Sequence, residues 1–124
     1  MGILSQMILN GGFYGGKRYL NPNVINMYTT RYYKSTRRGM GFDMKELDPD
    51  KTLNMAAEAS ESTYGHLGFT GTVFFIDPDA DLVFIMLANR TYPSMKNNKY
   101  GKENYRPKVQ SILYHAIMDL KNKY

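Results

Sequence analysis

Apolar residues in the second half of the chain alternate or run in short blocks that predict three β-strands joined by two tight turns. The strands are predicted at 64–69, 72–77 and 82–89, with turns at 70–71 and 78–81. Strands joined by such short connections pair as an antiparallel meander. The third strand is apolar on both sides of its pleat, so we expect it to be central in the sheet, with both faces covered.

Two short helices are predicted before these strands. Apolar residues at 3, 4, 7 and 8 follow a helical spacing that stops at the glycine pair after Asn10. Asn21 followed by Pro22 is typical of a helix start, because asparagine caps the first turn and proline there gives up no hydrogen bond. We expect this second helix to be buried through one stripe, which consists of Val24, Met27 and Tyr28.

The segment between these helices, residues 11–17, is rich in glycine and is interpreted as a helix-to-helix turn. It fits the start of a phosphate-binding loop, but Arg18 stands where Ser or Thr should hold magnesium. The alternating aspartates after the second strand start like a calcium loop, but Leu82 stands where glycine is required. We therefore expect no cofactor and no metal ion.

The remaining segments complete an α+β pattern. Residues 39–44 alternate and predict a further strand, whereas 47–61 and 94–105 are expected to be loops. After Arg106, apolar residues recur at helical spacing and predict a long helix whose apolar face packs on one face of the sheet. That face consists of Val109, Ile112, Leu113, Ala116, Ile117 and Leu120. His115 falls outside it and is expected at the surface.

Composition indicates one folded unit. The chain has 124 residues, of which 43% are hydrophobic, enough for a single domain with a core. There is no apolar run approaching the ~18 residues of a membrane span. The first five residues lack the charged start and cleavage site of a signal peptide, so no export signal is expected. Without cysteine, the chain forms no disulfide and no thiolate metal site.

The net charge of +5 raises the question of a polyanionic partner. The densest basic segment, residues 31–38, interleaves cations with aromatic residues, a pattern that tracks phosphate backbones and stacks bases. No nucleic-acid-binding motif accompanies it, so a solvated connector is the favoured interpretation. A basic nucleic-acid or protein binding module without catalysis remains the alternative.

A contiguous motif carries a family resemblance. His66-Leu67-Gly68-Phe69-Thr70-Gly71, then two apolar strands and the segment LANRTYP at 87–93, resembles the C-terminal part of the penicillin-binding, class C β-lactamase-like serine hydrolases. It is most similar to versions with His in the third motif, such as domains fused to bacterial glycosidases. The resemblance implies a partial β-lactamase/transpeptidase-like fold over 1–124, with 1–38 as a remnant of the helical region and 39–124 as sheet plus C-terminal helix.

The resemblance also implies roles for individual residues. The Phe69 amide would be one of the two donors that hold the oxyanion, and Gly68 would allow close approach of substrate to the strand. His66 would bind substrate charge or assist proton transfer. Leu67 stands where a substrate-binding Thr is usual, which leaves ester and amide substrates open beside β-lactams. The substrate-binding residues implied are Leu67, Thr70, Gly71 and Asn89.

The nucleophile motif of this family is missing. No serine of the chain is followed three residues later by lysine, as the family's Ser-x-x-Lys requires. We therefore expect a serine hydrolase fragment that is inactive alone or is completed by another chain. Self-association through an exposed apolar sheet surface is expected. The parent enzyme is expected in the bacterial periplasm or at the cell surface, by resemblance only.

Overall fold

A four-stranded antiparallel sheet with helices at both ends of the chain forms the fold in the computed structural model, which describes residues 1–96 and 98–122. This arrangement confirms the α+β class and the antiparallel sheet. Along the chain the elements are α1 (Gly2–Leu9), β1 (Phe13–Tyr14), β2 (Lys17–Arg18), α2 (Pro22–Thr29), β3 (Asp43–Met44), β4 (Tyr64–Leu67), β5 (Gly71–Asp77), β6 (Leu82–Asn89), α3 (Lys99–Lys102) and α4 (Tyr105–Lys121).

The glycine-rich segment after α1 is a small β-hairpin, so its interpretation as a simple turn between helices is wrong. Strands β1 and β2 pair with Tyr14 opposite Lys17. The two residues between them, Gly15 and Gly16, have φ of 57° and 79°. Positive φ at both central residues is what a two-residue hairpin turn requires, and paired glycines supply it without steric cost.

Helix α2 begins as predicted but is not buried as predicted. The Asn21 side chain accepts a hydrogen bond from the Asn23 amide at 2.9 Å, and Pro22 is the first helical residue. The expected buried stripe is wrong, because all three of its residues are exposed: Val24, Met27 and Tyr28. Two of them instead line an open groove of about 360 Å³ with Ile8 and Phe42.

The sheet order is β3-β4-β5-β6, which places β5 in the interior and β6 at an edge of the described sheet. The expectation that the third predicted strand is central is therefore wrong. An apolar pattern reports that both faces of a strand are covered, but not that both edges are paired. The coverage of β6 is also incomplete, because Leu87 is 73% exposed.

Two apolar clusters cover the two faces of the sheet. One contains Phe75 and Phe84 and is closed by Tyr114 from α4 and by residues of the long loop before β4. The other contains Tyr64 and Ile76 and is covered by residues of α1. Segment 47–61 is a loop, as predicted, but it supplies buried residues to the first cluster, which are Met55, Ala56 and Ala59.

Two other predicted boundaries differ from the structure. The strand expected at 39–44 is reduced to Asp43–Met44, because Gly39 and Phe42 close a turn through a 2.9 Å hydrogen bond. The polar segment 94–105 is not wholly a loop, since it contains the short helix α3.

Helix α4 packs through a different face from the predicted one. Its buried residues are Pro107, Gln110 and Tyr114. Most of the predicted apolar face is exposed, namely Val109, Ile112, Leu113, Ala116 and Leu120, while Ile117 is half-buried. Polar contacts set the rotation: Gln110 Oε1 accepts from the Ala56 amide at 2.9 Å, and the Tyr114 hydroxyl donates to Asp77. Among residues 1–96 and 98–122, no helix combines the length and apolar character needed to cross a membrane.

Candidate functional site

The His66–Gly71 segment forms the end of β4 and the turn into β5. The Gly68 amide donates to the Thr72 carbonyl at 2.7 Å, and the Gly71 amide donates to the Gly68 carbonyl at 3.0 Å. Gly71 has a φ of 106°, which only glycine adopts readily, so it closes the turn. The turn therefore spans residues 68–71, and the predicted strand ends two residues earlier than expected, at Leu67.

The Phe69 amide is the open donor of this turn. The Gly68 carbonyl shares a trans peptide unit with this amide, and it accepts from the Gly71 amide on the β5 side of the turn. The Phe69 amide therefore points to the other edge of β4, where only Tyr64 and Gly65 have partners in β3. Within the described chain, the Phe69 N–H donates no hydrogen bond.

His66 lies three residues before Phe69 in the sequence, and its side chain is 61% exposed. Its Nδ1 is 3.9 Å from Asp43 Oδ2. Asp43 is buried and also pairs with the guanidinium groups of Arg37, at 3.2 Å, and Arg38. The imidazole thus stands at the surface beside a carboxylate whose charge is already compensated.

Tyr64 precedes this histidine on the same side of β4 and is buried. Burial raises the pKa of the Tyr64 hydroxyl to about 12. The phenol therefore stays protonated at neutral pH and cannot serve as a base there.

The other predicted site residues occupy different sides of the turn. Leu67 points to the opposite face from His66 and packs against the core cluster that contains Phe75. Thr70 is at the exposed tip of the turn. Asn89 pairs opposite Gly71 in β6, and its Oδ1 accepts from the Thr91 hydroxyl at 2.7 Å. The structure thus brings residues 67–71 and Asn89 together, with His66 on the other face.

A cleft of about 300 Å³ beside this turn is lined by five residues that sequence reasoning did not assign to the site, and three of them contact the turn: Arg90, Tyr100 and Arg106. Arg90 Nε donates to the Phe69 carbonyl at 2.6 Å, and its guanidinium lies 4.6 Å from the centre of the Phe69 ring. The only sequence signal was the arginine after Asn89 in the LANRTYP segment.

Arg106 and Tyr100 reach the turn from the C-terminal segments. Arg106 donates to the Gly68 carbonyl at 2.8 Å and to the Gly71 carbonyl at 3.2 Å. The Tyr100 hydroxyl donates to the same Gly71 carbonyl at 2.8 Å, and its ring centre is 5.3 Å from the Arg106 guanidinium. No local sequence pattern predicts these contacts, because they join residues about thirty positions or more apart.

The basic segment 31–38 uses most of its cations inside the fold. Arg31 donates to the Thr36 carbonyl at 3.1 Å and to the carbonyl of Lys45. Arg37 and Arg38 both pair with Asp43. Three of the four cations of this segment are therefore engaged within the chain, which removes most of the pattern that favoured a binding module.

The second histidine, His115, lies on the surface as expected, with a side chain that is 63% exposed. Its Nε2 is 2.8 Å from Glu58 Oε1, and that oxygen also accepts from the Ser111 hydroxyl at 2.7 Å. Both contacts end on one carboxylate oxygen, so Ser111 is not bonded to the imidazole and is not activated as a nucleophile. Among residues 1–96 and 98–122, no group of three His, Cys, Asp or Glu side chains is arranged to hold a metal ion.

Comparison with known proteins adds a family to this geometry. The family model described as Beta-lactamase matches residues 17–104. A protein of Escherichia coli strain K12 named "Putative D-alanyl-D-alanine carboxypeptidase" is 36% identical over 90 residues, which cover 73% of this chain and 20% of that protein. Proteins of the same name from Salmonella paratyphi B and Salmonella newport are each 32% identical over 99 residues, or 80% of this chain and 23% of theirs. The chain spans about a fifth of the length of these curated relatives.

Proposed function

The chain belongs to the beta-lactamase family of serine hydrolases, and we propose that it forms the wall of an acyl-transfer site that carries the third active-site motif, His66-Leu67-Gly68. The observation that supports this most directly is the Phe69 N–H, which follows the motif and is unpaired at an open strand edge. When a serine attacks an acyl carbonyl, the carbonyl oxygen becomes an anion. A preorganised backbone N–H stabilises that charge without reorganisation.

His66 would bind substrate charge or assist proton transfer. Its exposed imidazole has one ring nitrogen that can donate and one that can accept a hydrogen bond, which suits either role. Gly68 is held close to β5, since a Cβ at this position would lie 3.1 Å from the Thr72 carbonyl oxygen. A larger residue would push the strand and displace the amide that follows it.

The substrates proposed are small esters, amides or β-lactam-like compounds. The names of the bacterial relatives point to peptides that end in D-alanyl-D-alanine. Leu67 offers no hydroxyl for a substrate carboxylate and packs toward the core. That favours esters and peptide-like amides over β-lactams. Thr70, Gly71 and Asn89 are proposed to border the substrate at the turn.

We further propose that the chain alone does not catalyse acyl transfer, because it has no Ser-x-x-Lys to supply nucleophile and base. Intact mass after incubation with a fluorophosphonate, and separately with a penicillin, tests this directly. We expect no adduct. A stoichiometric adduct on one serine would show a working nucleophile within the chain.

The Phe69 amide can be tested in a chimera. The segment of the Escherichia coli relative that aligns with this chain would be replaced by the matching residues, and ester hydrolysis would be measured. Phe69→Ala keeps the backbone N–H, whereas Phe69→Pro removes it. We expect Phe69→Pro to lower kcat relative to Phe69→Ala by about a hundredfold, the usual cost of one lost oxyanion donor. Equal kcat for the two variants would refute the assignment.

A further inference from the structure

All four carbonyl groups of the 68–71 turn are held from the side of the C-terminal segments. Arg106 holds the carbonyls of Gly68 and Gly71, and Tyr100 also donates to Gly71. Arg90 holds the remaining two, through its guanidinium to Phe69 and through its backbone amide, at 2.8 Å, to Thr70. Groups that lie outside the motif thus hold the turn, in addition to the Gly71 amide that donates to the Gly68 carbonyl within it.

The carbonyl of Gly68 and the amide of Phe69 belong to one peptide unit. This peptide bond is trans, so its C=O and N–H point in opposite directions within one plane. When Arg106 draws the Gly68 oxygen toward α4, it directs the Phe69 hydrogen toward the open edge of β4. The guanidinium contact, together with the Gly71 amide that donates to the same oxygen at 3.0 Å, therefore fixes the direction of the donor on the far side of the peptide.

We propose that Arg106 is a positioning residue for acyl transfer, which aims and polarises the Phe69 amide without touching substrate. This inference depends on the function proposed above. A hydrogen bond from a cation is about twice as strong as a neutral one. A positive charge on the carbonyl oxygen draws electron density from the peptide nitrogen, and this makes the opposite N–H a better donor to a developing anion.

The geometry also explains why Arg106, and not Arg90, has this role. Arg90 donates to the Phe69 carbonyl. That carbonyl belongs to the next peptide unit, so this contact orients the Thr70 amide and not the Phe69 amide. Arg106 is held for its task, because it stacks on Tyr100 and contacts two carbonyls at once. A lysine there would keep the charge but could not reproduce the two-pronged contact.

The test uses the chimera described above, with Arg106→Met, Arg106→Lys and a control, Lys108→Met. Lys108 is an exposed cation on the same helix that faces Glu103, so its loss matches the change in charge. We expect Arg106→Met to lower kcat for ester hydrolysis by about tenfold or more. This loss is smaller than the one expected when the Phe69 donor itself is removed. We expect KM to stay within about twofold, because the amide is used in the transition state. Arg106→Lys should retain part of the rate, and Lys108→Met should retain all of it.

A second readout uses the chain itself. In ¹H–¹⁵N spectra, Arg106→Met should shift the Phe69 amide resonance, Arg106→Lys should shift it less, and Lys108→Met should leave it in place. An unchanged kcat with Arg106→Met, a rise in KM alone, or an equal loss with Lys108→Met would overturn the positioning role. The Phe69→Ala and Phe69→Pro pair tests the proposed function separately, so a failure of one is not mistaken for a failure of the other.

Discussion

At the scale of single residues, Gly65, beside the motif, is the glycine of the sheet where an added Cβ would meet its closest neighbour. A Cβ built on Gly65 would lie 2.0 Å from the Phe74 carbonyl oxygen and 2.7 Å from the Phe75 ring. Both are far inside van der Waals contact, and the first neighbour is backbone, which cannot rotate away. Strand β4 can therefore lie against β5 only because this residue has no side chain.

We expect Gly65→Ala to lower the free energy of unfolding by about 3 kcal/mol, since β4 must shift to admit the methyl group. Gly2→Ala is the matched control, because no atom lies within 4 Å of its added Cβ. Urea unfolding followed by circular dichroism would compare the two. Equal midpoints would mean that β4 and β5 are not packed as the structure has them.

Asp77 is a buried carboxylate whose partners outweigh its burial. Burial alone would raise the pKa of Asp77, but hydrogen bonds from Ser60, Tyr114 and Ala80 lower it below its usual value. Ser60 donates through its hydroxyl at 2.6 Å and through its amide at 3.0 Å. The folded state thus favours the ionised form and binds its proton less readily than the unfolded chain does.

Because the folded-state pKa of Asp77 is depressed, its stabilisation is present at neutral pH. It is lost as the pH falls below about 3.9, the usual value for aspartate in an unfolded chain. We expect the stability gap between the wild type and Asp77→Asn to narrow below that pH. Unfolding free energies measured between pH 7 and pH 2 would show this. Asp79→Asn, the same change at an exposed position of the adjoining turn, is the control.

At the scale of elements, the rotation of α4 predicts which of its residues stabilise the fold. We expect Tyr114→Ala to cost about 3 kcal/mol or more, since the buried ring is lost and Asp77 loses a donor. Ile112→Ala should stay within about 0.5 kcal/mol, because that side chain is 66% exposed. Both values would come from chemical unfolding at low protein concentration. The reverse order would place the apolar stripe of α4 in the core.

Helix α4 also shows which features of this fold can be predicted from the sequence. The positions of α1, α2, α4 and the three long strands follow from local spacing and caps, which need no knowledge of distant segments. The buried face of α4 does not, because Gln110 and Tyr114 are fixed by groups more than thirty residues away. The edge position of β6 depends likewise on the pairing of its other edge, which an apolar pattern does not encode.

The residues of the candidate site also divide into those that the sequence predicts and those that only the structure shows. His66 to Phe69 are contiguous, so one motif predicts them together. Arg106 and Tyr100 join the turn across the fold, and in sequence they read only as a helix start and as part of a polar segment. The residues proposed to supply chemistry were thus found from sequence, whereas those that hold the backbone in place were visible only in the structure.

At the scale of the whole molecule, several apolar surfaces are uncovered in the described chain, and two of them lie on β6 and α4. One is the outer edge of β6 with Leu87, and the other is the exposed stripe of α4 with Ile112 and Leu113. The chain spans about a fifth of the length of its curated relatives. An unpaired strand edge beside exposed apolar side chains is a template for pairing with a second copy.

We expect the chain to self-associate at tens of micromolar, with Leu87→Lys reducing the association because it places a charge beside the β6 edge. The net charge of +5 repels copies of the chain from each other. Added salt screens that repulsion, so the mean mass from light scattering should rise between low and moderate ionic strength. Leu47→Lys is a control, since Leu47 is exposed and lies in the long loop before β4. A monomer at every salt concentration would show that the β6 edge does not pair. An association that Leu47→Lys reduces as much as Leu87→Lys does would place the contact elsewhere.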